Sequence, residues 1–150
     1  MATTWSFYGL AAWSARSISL LAGYEAWNRE DCDAWLALLA DEVVISTSGV
    51  FPDLSAEYCG HGEAIRFWKQ LHAPWEEFRI DVEHVEDDGD YAFAAIRFRG
   101  RGVDSGIEVD MRFGMGIRVG EDGLATHMVN RRTLEESREV LKQDEPAAVT

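Results

Sequence analysis

Cysteine is scarce in this chain: Cys32 and Cys59 are the only two in 150 residues. Two are too few for a disulfide framework, and they lack metal-ligand spacing, so both read as free thiols in a reducing, cytoplasmic setting. Histidine is scarce as well. His61, His72, His84 and His127 are scattered with no ligand spacing, so neither a metal nor a cofactor is expected. Basic residues are outnumbered, 14 Lys and Arg against 27 Asp and Glu, for a net charge of −13. That balance repels phosphate backbones and anionic bilayers, which sets the chain against nucleic acid and membrane as partners. Ser, Thr and Arg16 interrupt the apolar N-terminal stretch, which also lacks a basic start; neither a signal peptide nor a membrane span is expected there. There is no Gly-x-Ser-x-Gly elbow, and Gly60-His61-Gly62 lacks the lysine and preceding strand of a phosphate loop.

Periodicity, by contrast, is abundant. Val109, Met111, Phe113, Met115, Ile117 and Val119 are apolar at every second position, with Asp110, Arg112, Gly114, Gly116 and Arg118 between them. Period two is the mark of a strand with one buried face. Gly120-Glu121-Asp122-Gly123 supplies a turn, and Leu124 to Asn130 reads as the returning strand. Earlier in the chain the period is helical. Ile18, Leu21, Tyr24 and Trp27 form one stripe, Trp35, Leu36 and Leu39 a second after an Asp31 or Asp33 cap, and Ile65, Trp68 and Leu71 a third. Val43-Val44-Ile45 is β-branched and reads as a strand, and residues 46–58 as a loop or irregular hairpin. Phe78, Ile80 and Val82 alternate, and residues 91–99 form a strand with two plausible faces. Thr133-Leu134-Glu135-Glu136 is a capping box opening a last helix.

This order predicts one α+β domain over residues 14–142, preceded by an arm or helix extension (1–13) and followed by a frayed tail (143–150). The N-terminal helices pack in the concave face of a strongly curved antiparallel sheet, and a short helix closes the chain. A curved sheet facing a helix encloses a cone, and an unfilled cone is a pocket for a small apolar molecule.

Several stretches carry a family resemblance. They are Tyr24-Glu25-Ala26-Trp27-Asn28 with Asp31, Leu38-Leu39-Ala40-Asp41-Glu42-Val43, the Gly60-His61-Gly62-Glu63-Ala64-Ile65 helix start, the glycine-rich turn at 100–106, and Asp122-Gly123-Leu124 before the capped helix. In order and spacing they resemble the nuclear transport factor 2-like superfamily, in its SnoaL-like branch. The resemblance implies a cone-shaped α+β barrel and a homodimer through the outer sheet face. For function it implies either isomerase, cyclase or dehydratase-type chemistry on an apolar substrate, or a non-catalytic ligand-binding or dimerisation module. Matched to steroid isomerase relatives, the general-base aspartate falls on Thr47, the oxyanion-hole aspartate on Met115 and the helix-one tyrosine on Gly23. In epoxide-hydrolase relatives the strand Arg and Asp fall on Ala95 and Arg97. The last-strand aspartate of both those relatives and the cyclases falls on Asn130. The carboxylate is missing each time, and an amide cannot serve as a general base.

Tyr24, Arg97 and Asn130 are therefore the candidates to polarise a carbonyl or enolate oxygen. Trp27, Ile45, Thr47, Trp68, Phe93, Met111, Phe113, Met115 and Met128 are the expected lining. Two readings of Arg97 stay open. The register implied by the resemblance turns Tyr91, Phe93, Ala95, Arg97 and Arg99 into the cone; patterning alone buries Ala92, Ala94, Ile96 and Phe98 and leaves the arginines outside. Asp53 and Glu57 are the acids that could approach the mouth of the cone.

Overall fold

The computed structural model describes residues 14–51 and 53–143. The expected N-terminal arm, and the tail beyond Gln143, lie outside the described residues. Ser14 caps α1 (Ala15–Asn28), its side chain accepting from the Ser17 amide. Asp31 does the same for Ala34 at α2 (Cys32–Leu36). The chain then enters β1 (Leu39–Thr47), β2 (Glu57–Cys59), α3 (Gly60–His72), β3 (Trp75–Asp88), β4 (Tyr91–Gly102), β5 (Glu108–Val119), β6 (Ala125–Arg131) and α4 (Leu134–Gln143). The Thr133 half of the expected capping box forms, with Thr133 Oγ1 accepting from the Glu136 amide at 3.1 Å.

The strands make one six-stranded, curled sheet in the order β2-β1-β6-β5-β4-β3, which does not close into a barrel. The expectation of a wholly antiparallel sheet needs one correction, because β1 runs parallel to β6, with Ile45 opposite Met128 and Thr47 opposite Asn130. The connection between them is long, running through four strands and a helix, so it can return the chain in the same direction.

The helix α1 is fastened to β3 at both ends. The Asn28 carboxamide exchanges two hydrogen bonds with the Ile80 backbone, at 2.7 and 2.8 Å. At the other end the Asp87 carboxylate accepts from the hydroxyls of Ser14 and Ser17. Burial pushes the Asp87 carboxyl up, but the hydrogen bonds from Ser14 and Ser17 outweigh it and hold the group below its ordinary range. Helix α1 thereby becomes the fixed wall facing the concave sheet.

On β4, Ala92, Ala94, Ile96 and Phe98 belong to the main core, so patterning identifies the inner face. Phe93 is also fully buried, but on the opposite side. It joins Tyr91, Val129 and Leu141 in a second cluster with Leu134 and Val140 of α4. At its Tyr91–Phe93 end β4 is thus buried on both faces within one chain, because α4 covers the outer one there. Gly114 and Gly116 make room for that helix. A Cβ on Gly114 would lie 2.3 Å from the Thr133 and Leu134 backbone, and one on Gly116 would lie 2.7 Å from the Phe93 ring.

Candidate functional site

Between α1 and the sheet lies a cavity with about 610 Å³ of empty space, open solvent at its mouth included. Helix α1 contributes Ser19, Leu20, Gly23, Tyr24 and Trp27 to its wall, and α2 with the start of β1 contributes Trp35, Leu38 and Leu39. The helix α3 adds Phe67 and Leu71, and β3 adds Ile80. The far wall is the inner face of β5 and β6, with Phe113, Met115 and Ile117 on one strand and Ala125, Met128 and Asn130 on the other. Phe51, from the connection after β1, completes it and packs edge-on against Phe98 and Phe113.

Aromatic packing holds the helical side in shape. The Trp27 ring meets Trp35 edge-on at 5.2 Å, Phe67 edge-on at 5.8 Å and Trp68 at 4.2 Å, and it stacks on His72. Contacts of this kind add about 0.5–1.5 kcal/mol each beyond their buried area. His72 is held in turn by its Nδ1–H, which donates to the Trp68 carbonyl at 2.7 Å. Trp68 and His72 support the Trp27 ring without lining the cavity themselves.

Among the described lining residues there is no Asp, Glu, His, Lys, Arg or Cys. Oxygen-bearing side chains there are limited to Ser19, Tyr24 and Asn130. Tyr24 is buried, and its hydroxyl makes no hydrogen bond to another described residue; burial pushes its phenol far above the ordinary value of 10.0. It is therefore a neutral donor at any physiological pH, never a phenolate base. The Asn130 side chain is 5% exposed and likewise has no described partner, whereas its backbone carbonyl accepts from Arg131 Nη1 at 2.8 Å. Beside it the Thr47 hydroxyl is buried and unpartnered, at a cost on the order of 1–3 kcal/mol.

Tyr24, Trp27, Phe113, Met115, Met128 and Asn130 line the cavity, and the other expected site residues lie elsewhere. Arg97 sits on the outer face, where β4 alternation sends it once Ile96 and Phe98 face inward; it donates to both carboxylate oxygens of Asp110. Phe93 is buried under α4 for the same reason of parity. Ile45 and Thr47 are buried on β1 but do not line the cavity. Trp68 packs behind Trp27, and Met111 is half-buried at the core margin. Neither Asp53 nor Glu57 reaches the lining.

Sequence reasoning missed Phe51, Phe67, Ile80 and Leu38. Phe67 lies one position before the tryptophan chosen for the α3 stripe, and Phe51 comes from a connection with no period to read. Gly23 and Met115, onto which the resemblance carries polar catalytic groups, line the cavity, and neither has a polar side chain. No group of three His, Cys, Asp or Glu side chains among the described residues could hold a metal ion. No described helix is long and apolar enough to cross a membrane.

Residues 20–128 match a family model described as a SnoaL-like domain. No curated protein matches the sequence. Among solved structures, an NTF2-like protein of unknown function from Burkholderia pseudomallei is 22% identical, with a TM-score of 0.72 over 85% of this chain and 97% of that one. A Mycobacterium tuberculosis protein crystallised with estradiol-17β-hemisuccinate is 23% identical, with a TM-score of 0.66 over 79% of this chain and 93% of that one. A putative SnoaL-like polyketide cyclase from Jannaschia sp. CCS1 is 17% identical, with a TM-score of 0.68 over 77% of this chain and 83% of that one. At these identities the likeness is one of fold.

Proposed function

This chain belongs to the SnoaL-like domain family, and from that premise we propose that it binds a neutral, largely apolar small molecule in the cone without using an acid–base residue of its own. The observation that carries this reading is the cavity wall. Its described lining offers apolar and aromatic surface, three neutral oxygen-bearing side chains and no charge. Apolar lining with a few fixed polar groups is the common make-up of small-molecule sites. A buried anion would lack a cationic partner here, which makes a charged ligand costly. A neutral carbonyl or hydroxyl can be met by Tyr24 and Asn130. The apolar steroid skeleton of the estradiol hemisuccinate crystallised with the mycobacterial protein suits an apolar cavity of this kind; its carboxylate has no counterpart among the lining residues here.

Trp27 and Trp35 line the wall, so tryptophan emission reports occupancy directly. Titration with 2-acetylnaphthalene should change the emission and saturate, whereas 2-naphthoate at pH 7 should have no effect at the same concentrations. Equal binding of the anion, or binding of neither compound, overturns the reading. Proton-transfer chemistry is the second reading. The neutral Tyr24 hydroxyl supports it only as a donor to a developing oxyanion, because no lining residue among those described can take the proton.

A further inference from the structure

Strand ladders and packed helices hold most of the cavity wall. Phe51 is the exception, because it comes from the connection between β1 and β2. Among the described residues, the backbone of that connection is tied at its two ends. The Thr47 and Ser48 amides donate to the carbonyls of Ala56 and Asn130, and the Ser55 amide donates to the Tyr58 hydroxyl. Between those ties Val50, Phe51 and Leu54 hold to the core by apolar contact. The chain turns on either side of Phe51, at Gly49 with φ 75° and at Asp53 with φ 68°. For a residue with a Cβ that left-handed conformation is uncommon. The Phe51 ring stands edge-on to two rings of the inner sheet face, Phe113 at 5.5 Å and Phe98 at 5.2 Å. Phe113 lines the cavity and Phe98 does not, although both belong to the same core. Phe98 is instead fully buried, with Trp75 at 5.1 Å and Phe78 stacked at 5.2 Å as further ring neighbours.

We propose that Phe51 is a displaceable plug that sets the size of the ligand, by closing off an aromatic extension of the cone floored by Phe98. The inference rests on the cavity being a binding site. Swinging the Phe51 ring aside breaks no ladder bond and gives up only edge-on contacts and apolar burial. A further aromatic ring on the ligand recovers both, since it offers Phe98 and Phe113 the same kind of surface. The opposite wall does not yield in this way, because α1 is bonded to β3 at both ends. Size selection therefore falls on this one side chain. A two-ring ligand fits with Phe51 in place, and a three-ring ligand takes its seat.

The test compares 2-acetylnaphthalene with 2-acetylphenanthrene, which carries one more fused ring, by tryptophan emission. Phe51→Ala opens the extension, so the ratio of the two affinities should move about tenfold toward the larger ketone relative to wild type. Phe51→Leu, a milder change, should move it the same way by less. Val50→Ala lies in the same connection but outside the lining, so it should leave the ratio at its wild-type value. That control separates the plug from a general loosening of the connection, and circular dichroism of each variant establishes that it is folded. A ratio unchanged in both Phe51 variants, or moved as far by Val50→Ala, overturns the plug, while binding of 2-acetylnaphthalene still upholds the cavity as a site. Failure of both ketones to bind wild type and Phe51→Ala alike removes the binding reading and this inference with it.

Discussion

Arg97 holds Asp110 diagonally across the β4–β5 ladder, with Nε 2.9 Å from Oδ1 and Nη2 2.6 Å from Oδ2. The fork-to-carboxylate geometry is bidentate, which suits arginine. Asp110 draws its low carboxyl pKa first from that hydrogen bond. Arg97 therefore belongs to a set of charged pairs on the outer face, with Arg112–Glu83 and Arg79–Asp81 beside it.

The first prediction follows from that placement. Arg97→Ala should bind 2-acetylnaphthalene with wild-type affinity in the tryptophan titration. A loss of more than about threefold would mean that the guanidinium contributes to the cavity after all.

Tyr24 gives a prediction with a definite sign. Its folded pKa is raised by burial, so the folded protein keeps a proton that the unfolded chain gives up. Stability is unaffected by this group below about pH 10 and falls as pH rises beyond that value. Tyr24→Phe should unfold at the same urea concentration as wild type at pH 7, to within about 0.5 kcal/mol. Above pH 10 its stability should fall less steeply than that of the wild type. Parallel alkaline slopes for the two proteins would show that the hydroxyl is not sequestered.

The third prediction concerns the seat of α4. Gly114→Ala would push a methyl group into the Thr133–Leu134 backbone, which cannot move aside as a flexible side chain would. A loss of about 1–3 kcal/mol is expected, read as a Tm several degrees lower. Gly62→Ala is the control. Nothing lies within 4 Å of a Cβ there, and the residue sits in the first turn of α3, so alanine should be neutral or stabilising. An unchanged Tm for Gly114→Ala would mean that α4 is not held against β5 in solution.

Much of the fold is legible in the sequence because it rests on period. The alternation from Val109 to Val119 defines β5, and the Thr133 and Asp31 caps place the starts of α4 and α2. The β4 pattern also contains the right answer for Arg97, since Ile96 and Phe98 outweigh the register implied by the resemblance. It does not reveal what dries the second face. Phe93 on a two-faced apolar strand says only that both sides are covered, and whether a partner copy or the same chain covers it depends on distant residues. The glycines at 114 and 116 carry that information as places where a backbone or ring approaches closely, a signal that single-residue patterning passes over. The parallel β1–β6 pair is equally silent, because strand direction depends on the path of the chain and not on local composition. At the site, the missing carboxylates were visible position by position. The unpartnered state of Thr47 was not, since it depends on which neighbours three separate strands bring.

The two fastenings of α1 have one further consequence. From Ser14 to Asn28 the helix advances about 21 Å at 1.5 Å per residue, and from Ile80 to Asp87 the strand advances about 23 Å at 3.3 Å per residue. The two members are commensurate, so the bonds at Asn28–Ile80 and at Ser14 and Ser17–Asp87 close without either end stretching. A beam pinned at both supports neither slides nor tilts. The gap that a guest molecule enters is thus set before it arrives, and little of its binding energy is spent on reshaping that side of the host.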